Sequence, residues 1–298
     1  MWLFYRQHVF MSKDSTGILY VVATPIGNLD DLSARAKKIL NKVDLVAAED
    51  TRRTLGLLSS IDIKNRLISY HKHNESKQTP VLLEKLKRGE SIALVSDAGS
   101  PLLSDPGSIL IKAARSSKVS IVSVPGPSAI TSALSIVGLP ADQFVFEGFL
   151  PRGVAAKADR LAQLAADPRT IVIFESVHRL VITMKAIKRY FGPSRHMFIA
   201  RELTKVHESI YEGTTESLYG QLDNNIPLKG EFVLLISGNE ELNTIGDDEL
   251  IRVFGLLIGQ MSPKAAVTLT AKITGASRNR VYAVTRSIPG NSISSGNL

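Results

Sequence analysis

The chain has 298 residues, 44% of them hydrophobic and 21% charged, a globular composition with room for roughly two domains and a sizeable core. With 36 Lys and Arg against 28 Asp and Glu the formal charge is +8, which favours a polyanionic partner, RNA or DNA before an anionic membrane. There is no cysteine, which removes disulfides, thiolate metal sites, iron–sulfur clusters and any thiol nucleophile; none of the six histidines falls in an HExxH arrangement, so no metal is expected.

Met1 to Phe10 are apolar and aromatic around Arg6, but they lack the basic start, long apolar middle and small-residue cleavage site of a signal peptide. With Met11 directly after them, residues 1–16 read as a disordered or mis-started arm of a cytoplasmic protein. No uninterrupted apolar stretch reaches the about 20 residues needed to span a bilayer. From Gly17 short β-rich runs alternate with amphipathic helices. Ile18 to Ala23 reads as a buried strand and Thr24 to Asn28 as a loop. A helix follows, in which Leu32, Ala36, Ile39, Leu40 and Val43 form one apolar stripe. Further strands are expected at 45–48, 67–70, 92–95 and 119–124, with helices between them such as 80–87, opened by Pro80, and 108–116. This βαβ series predicts a mostly parallel sheet over 17–126.

After Pro125-Gly126-Pro127 strands at 144–147, 171–174, 197–200, 208–211 and 232–237 come partly without helices between them, which predicts a mixed sheet in a second α/β domain, 127–240. The polar segment 239–246 reads as a linker. Three short helices then fill 241–288, and the Ser-, Gly- and Asn-rich tail 289–298 reads as disordered.

Five polar clusters stand at the predicted ends of the first five strands: Thr24 to Leu29, Ala48 to Arg52, His71 to Glu75, Ser96 to Pro101, and Pro125 to Ala129. Loops at the carboxyl ends of parallel strands are where ligands bind, and five such clusters on consecutive strands make one shared cleft. Asp97, Ser100 and Ser104 put short oxygen groups at its rim, and Gly99 admits a ligand to the backbone. Asp105-Pro106-Gly107 also satisfies the grammar of an ordinary helix start. Neither GxGxxG nor GxxxxGK[ST] occurs, which disfavours Rossmann dinucleotide binding and P-loop chemistry. Glu49-Asp50 beside Arg52 is either a general base with a tuning cation or a capping ion pair. His71 and His73, alternating along an extended segment, should face opposite ways. In the second half Glu175 to Arg179, Arg201 to Lys205 and Lys229 to Glu231 border the same groove, with Arg179 and Lys205 read as edge-of-sheet ion pairs.

The ordered motifs TPIGNL (24–29), AEDTR (48–52), HNE (73–75), SDAGSP (96–101), PGPSA (125–129), EGFLP (147–151), RELTK (201–205) and GE (230–231) resemble the ribosomal RNA small subunit methyltransferase I family of the tetrapyrrole methylase superfamily, from Gly17 to Arg286. Two positions depart from the family pattern: Val177 stands where Pro is commoner and Ser100 where Thr is commoner. The resemblance implies two α/β domains with a cofactor cleft between them and a small C-terminal helical domain. It also implies a homodimer, and methyl transfer from S-adenosylmethionine to the ribose 2′-oxygen of a cytidine in the decoding region of 16S rRNA. By the same resemblance Pro25, Asp97, Ala98, Gly99, Ser100, Ser104 and Asp105 line one side of the cofactor, with Ser128 and Ala129 below and Phe174, Leu203, Gly230 and Glu231 closing the adenine side. Candidates for accepting the proton or positioning the ribose are Asp50, His73 and Glu75. Arg52 and Asn74 are candidate phosphate or base contacts, joined by Lys264, Arg278 and Arg280 in the terminal helices. A corrin or porphyrin methylase and a non-catalytic RNA-binding assembly factor stay open as alternatives.

Overall fold

The computed structural model describes residues 16–239 and 246–286. The arm 1–15, most of the linker and the tail 289–298 therefore lie outside the described residues. Five parallel strands, β1 (Ile18–Val22), β2 (Leu45–Ala48), β3 (Leu67–Ser69), β4 (Ile92–Val95) and β5 (Ser120–Val124), form the first sheet in the order β3-β2-β4-β1-β5. Every residue of the central β2 and β4 is buried, which explains why both read as unbroken apolar runs rather than alternating ones. Helices α1 (Ala34–Lys42) and α2 (Thr51–Ser60) cover one face through Leu40 and Leu58, while α3 (Glu75–Lys87) and α4 (Ser108–Ser116) cover the other through Leu82, Leu86 and Leu110. The chain leaves β2 toward one face and the neighbouring β4 toward the other. Adjacent strands whose connections diverge in this way leave a crevice at their carboxyl ends.

Helix α3 begins at Glu75, five residues before the expected Pro80. Pro80 sits exposed in its second turn; the turn before it is held by the Lys77 and Gln78 amides, both of which donate to the Asn74 carbonyl. His71 to Asn74 form a tight turn rather than extended chain, so the His71 and His73 rings meet edge to face at 5.9 Å instead of facing opposite ways.

The second sheet has the order β6-β7-β10-β8-β9, built from β6 (Phe144–Phe149), β7 (Thr170–Ser176), β8 (His196–Arg201), β9 (Ser209–Thr214) and β10 (Glu231–Ile236). Only β6 and β7 run parallel, so the sheet is mixed. Alternation along its strands sorts two apolar layers. Ile171, Ile173, Met197, Ile199 and Leu234 face α6 (Val154–Ala165), α7 (Val177–Phe191) and α8 (Thr215–Gln221). Val172, Phe198, Ala200, Val233 and Leu235 face α5 (Ala129–Val137) and Ile26 of the first domain. Beyond residue 245, α9 (Asp247–Ile258), α10 (Pro263–Thr274) and α11 (Arg278–Thr285) close a small core of their own around Leu250, Phe254, Ala266, Val267 and Val281. Ser262 and Ser277 cap α10 and α11 by accepting from the amides of Ala265 and Arg280.

Candidate active site between the two domains

The loops that end β1 and β4 are locked to each other. Thr24 and Gly99 exchange both backbone hydrogen bonds, at 2.9 and 3.0 Å, and the Thr24 hydroxyl donates to the Ser96 carbonyl. Pro25 and Ile26 lie just beyond this bridge, and Ile26 packs on the second sheet. Gly99 has φ +76°, a left-handed conformation that other residues adopt only under strain, and it lies beside Ile26 and the Pro127 carbonyl.

Both loops dock on the second domain. The Asn28 amide donates to the Thr204 hydroxyl at 3.1 Å, and Gly27 packs directly on Leu203 to Lys205. On the other side Ser104 lies against Gly148, at the bulge where β6 shifts register; a Cβ on Gly148 would come within 2.7 Å of the Ser104 oxygen. The opposed loops hold four non-glycine residues in the left-handed region: Leu102 and Ser104 in one, Glu202 and Thr204 in the other. Such conformations cost of order 1–3 kcal/mol each and persist where the surroundings over-determine them, as they do at ligand clamps.

The crevice between β2 and β4 is acidic. Asp97 Oδ1 accepts from the Asp50 amide at 2.9 Å, and Oδ2 pairs with Arg53 at 3.4 Å. Burial, then the charge of Asp97, raises the Glu49 carboxyl above its ordinary range. Asp105 is pushed up to about 6, first by burial and then by Glu49. Lys72 donates to the Ser104 carbonyl at 2.7 Å, and its charge offsets part of this repulsion. Among the described residues no group of His, Asp and Glu is arranged to hold a metal ion.

The expected proton acceptors occupy different environments. Asp50 is the N-cap of α2, accepting from the Arg52 amide, and its carboxylate takes two further bonds from the Arg52 guanidinium; these hold its pKa far below the usual range. The guanidinium of Arg52 is thereby tied to Asp50, although its side chain is 89% exposed. Glu75 accepts from the Gly107 amide at 3.3 Å and so joins α3 to the start of α4. Asn74 is spent within its own turn, accepting from the His71 amide and donating to the Ser69 carbonyl. His73 is exposed. Glu49 carries the stronger chemical signature. Its signal in the sequence was its place beside Asp50, but only the β2–β4 juxtaposition shows which of the two carboxylates feels the Asp97 charge and which is tied to Arg52.

From the second domain, Phe174 meets Phe146 and Phe149 edge to face at 4.9 and 5.9 Å, an aromatic wall on the face turned toward Ile26 and α5. Leu203 is buried beside it. Gly230, at φ +100°, leaves room for the Glu202 carboxylate, which accepts from the Glu231 amide at 2.9 Å. Lys205 bridges Glu202 and Glu231 at 2.8 and 3.0 Å. Ser128 caps α5 without a side-chain bond, and Ala129 opens the helix beneath the β5 loop. In the terminal helices Lys264 lines a shallow hollow on α10, Arg278 is exposed at the start of α11, and Arg280 pairs with Asp247 at 3.0 Å.

The first domain thus brings three carboxylates, two of them shifted toward neutrality by burial and repulsion, and the second domain brings an aromatic cluster beside the Ser104–Gly148 contact. This donor set suits a ligand with cationic and aromatic parts, and S-adenosylmethionine, with its sulfonium, ammonium and adenine, has both.

Fold and cleft define a tetrapyrrole methylase. Residues 18–219 match the family model of Tetrapyrrole (Corrin/Porphyrin) Methylases, and residues 244–285 match that of the RsmI C-terminal HTH domain. Among solved structures the fold is shared with cobalt precorrin-4 methyltransferase (TM-score 0.56, 18% identity, 76% of this chain and 98% of that one) and with diphthine synthase (TM-score 0.57, 14% identity, 74% and 90%). Proteins named ribosomal RNA small subunit methyltransferase I are 45% identical in Xylella fastidiosa (strain Temecula1), over 89% of this chain and 98% of that one, and 42% identical in Escherichia coli O157:H7, over 93% and 97%. The chain belongs to the ribosomal RNA small subunit methyltransferase I family and is an S-adenosylmethionine-dependent methyltransferase.

Proposed function

We propose that this protein methylates the ribose 2′-oxygen of a cytidine in the decoding region of 16S rRNA, in the cytoplasm and as a homodimer. The observation that carries the reading is a full-length kinship with small-subunit rRNA methyltransferases together with a cleft whose acidic floor suits a sulfonium cofactor. Asp97, Ala98, Gly99, Ser100, Ser104 and Asp105 hold the cofactor from the first domain, Pro25, Ser128 and Ala129 flank it, and Phe174, Leu203, Gly230 and Glu231 close its adenine side. Bound S-adenosylmethionine supplies a methyl group made electrophilic by its sulfonium. The chain must therefore hold one hydroxyl in line with that methyl, keep water out, and take a proton late.

Glu49 is the proton acceptor in this reading. A carboxylate raised by burial is a stronger base than an ordinary one, whereas the Asp50 carboxylate is held too acidic by Arg52 and Glu75 is engaged by Gly107. His73, exposed at the mouth of the β3 loop, positions the ribose. The Glu49→Gln variant should bind S-adenosylmethionine within about threefold of the parent while kcat falls roughly 100-fold. Equal kcat in single-turnover assays would remove Glu49 from this role.

Labelled methyl transfer to small subunits purified from cells lacking the gene tests the whole reading, with primer extension to map the modified ribose. Label on a cytidine ribose in the decoding region is expected. Label on a tetrapyrrole alone would select the corrin reading, and cofactor binding without transfer to any RNA would select the assembly factor. Sedimentation of the purified protein reads the homodimer directly.

A further inference from the structure

On the face of the second sheet that α6 to α8 cover, α6 and α7 leave a groove of about 480 Å³ between them. Arg152, Lys157, Arg179, Lys185 and Arg189 line it, with Ile182 exposed on its wall. Beneath the groove, Glu175 meets two of these cations, Arg179 and Lys157. Its side chain is fully buried, accepts from the Thr183 hydroxyl at 2.6 Å and lies 3.6 Å from Arg179 Nε. Lys157 Nζ sits 3.4 Å from the same hydroxyl, so one buried carboxylate serves two cations and the floor keeps an excess positive charge. Burial, and then the charge of Arg179, lowers the Lys157 ammonium below its ordinary range. An anion in the groove would relieve both effects.

The remaining cations are set in a row. Arg179, Ile182, Lys185 and Arg189 follow one stripe of α7, and the ten steps from Arg179 to Arg189 span about 15 Å at about 1.5 Å per residue. That matches about four stacked nucleotides at about 3.4 Å each. Arg179 is itself fixed in place, donating to the Leu150 carbonyl at 2.7 Å. Arg189 packs over the Tyr190 ring at 5.6 Å, a stacked guanidinium beside an aromatic face.

We propose that the groove between α6 and α7 holds the sugar–phosphate backbone of the substrate RNA, as a second anchoring surface apart from the methyl-transfer cleft. This rests on the reading of the protein as an RNA methyltransferase. Like charge opposes a second copy of the chain on this face, since pairing it with itself would bring ten cations together. A narrow groove also fits a strand better than a flat bilayer. Arg152, Lys185 and Arg189 are exposed, so they can be changed without disturbing the core.

The test compares the parent with Lys185→Ala/Arg189→Ala on isolated small-subunit rRNA and on small subunits. KM for the RNA should rise about tenfold with kcat unchanged, and the affinity for S-adenosylmethionine by calorimetry should not move. The slope of log affinity against log salt should become shallower by about 1.4, two phosphate contacts at about 0.7 each on a single strand. Unchanged KM and salt slope in a parent that does methylate small-subunit RNA would overturn the groove alone. A parent that methylates no RNA would sink the proposed function and this site with it. A shift in sedimentation with RNA binding intact would make the face an interface between copies. Loss of binding to phosphatidylserine vesicles with RNA binding intact would make it a membrane contact; either result overturns the proposal.

Discussion

Asp97→Ala should reduce the affinity for S-adenosylmethionine by at least about 100-fold in calorimetry. Asp97 sits where the connections of β2 and β4 diverge, and one of its oxygens fixes the Asp50 amide while the other pairs with Arg53. Removing it leaves a half-buried amide without its acceptor, at about 1–3 kcal/mol, and takes one negative charge from a floor meant for a sulfonium. The lost charge falls on the bound state, and the lost hydrogen bond loosens the loop that has to hold the cofactor. Asp97→Asn keeps an oxygen for the Asp50 amide and removes only the charge, so it should lose less, about tenfold. An Ala variant that is folded by circular dichroism and binds as the parent does would show that Asp97 is only a strut of the loop.

Asp105→Asn should move stability and binding in opposite directions. Burial and Glu49 raise the Asp105 pKa to about 6 in the folded protein, above its ordinary 3.8. Between these values the folded state binds more protons than the unfolded one, so stability falls as pH rises through the window and the loss is complete above about pH 6. At pH 7.5 the variant, which cannot ionise, should melt a few degrees higher than the parent without ligand. At pH 3.5 this difference should vanish. The same change removes an anion from the cofactor's surroundings, so affinity for S-adenosylmethionine should drop about tenfold. A lower melting temperature at pH 7.5 would mean that the Asp105 charge is compensated in the folded protein, contrary to this account.

The central strands of the first sheet are legible in the sequence because burial on both faces demands unbroken apolar runs, such as Leu45 to Ala48 and Ile92 to Val95, too short for helices and bounded by turn residues. Helix starts marked by a capping serine, at Ser262 and Ser277, are equally plain. The start of α3 is not. Pro80 looks like a first-turn residue, but Asn74 satisfies the His71 to Glu75 turn with its own side chain and lets the helix begin earlier. The site divides along the same line. That the clusters gather at one edge follows from parallel strands, and five motifs mark it. Which carboxylate in Glu49-Asp50 is available for chemistry depends on strand order, because only the pairing of β2 with β4 sets Glu49 against Asp97. Local sequence holds no record of that neighbour. The groove between α6 and α7 was hidden for a related reason: its cations come from two helices and a loop, and each alone looks like an ordinary solvated face.

Helix α5 begins at the end of β5, in the first domain, yet its buried residues Ile130, Ala133, Leu134 and Val137 belong to the core of the second. The chain therefore crosses the border inside packed structure. Ile26 of the β1 loop packs into that same core, so swinging the sheets apart would pull its side chain into water, at roughly 1–3 kcal/mol. The Asn28–Thr204 hydrogen bond and the Ser104–Gly148 contact would have to part in the same motion, so opening of the cleft is opposed at both of its ends before any ligand arrives. The loops at its rim yield most readily, so a large substrate meets a jaw whose span is already biased by contacts at both ends.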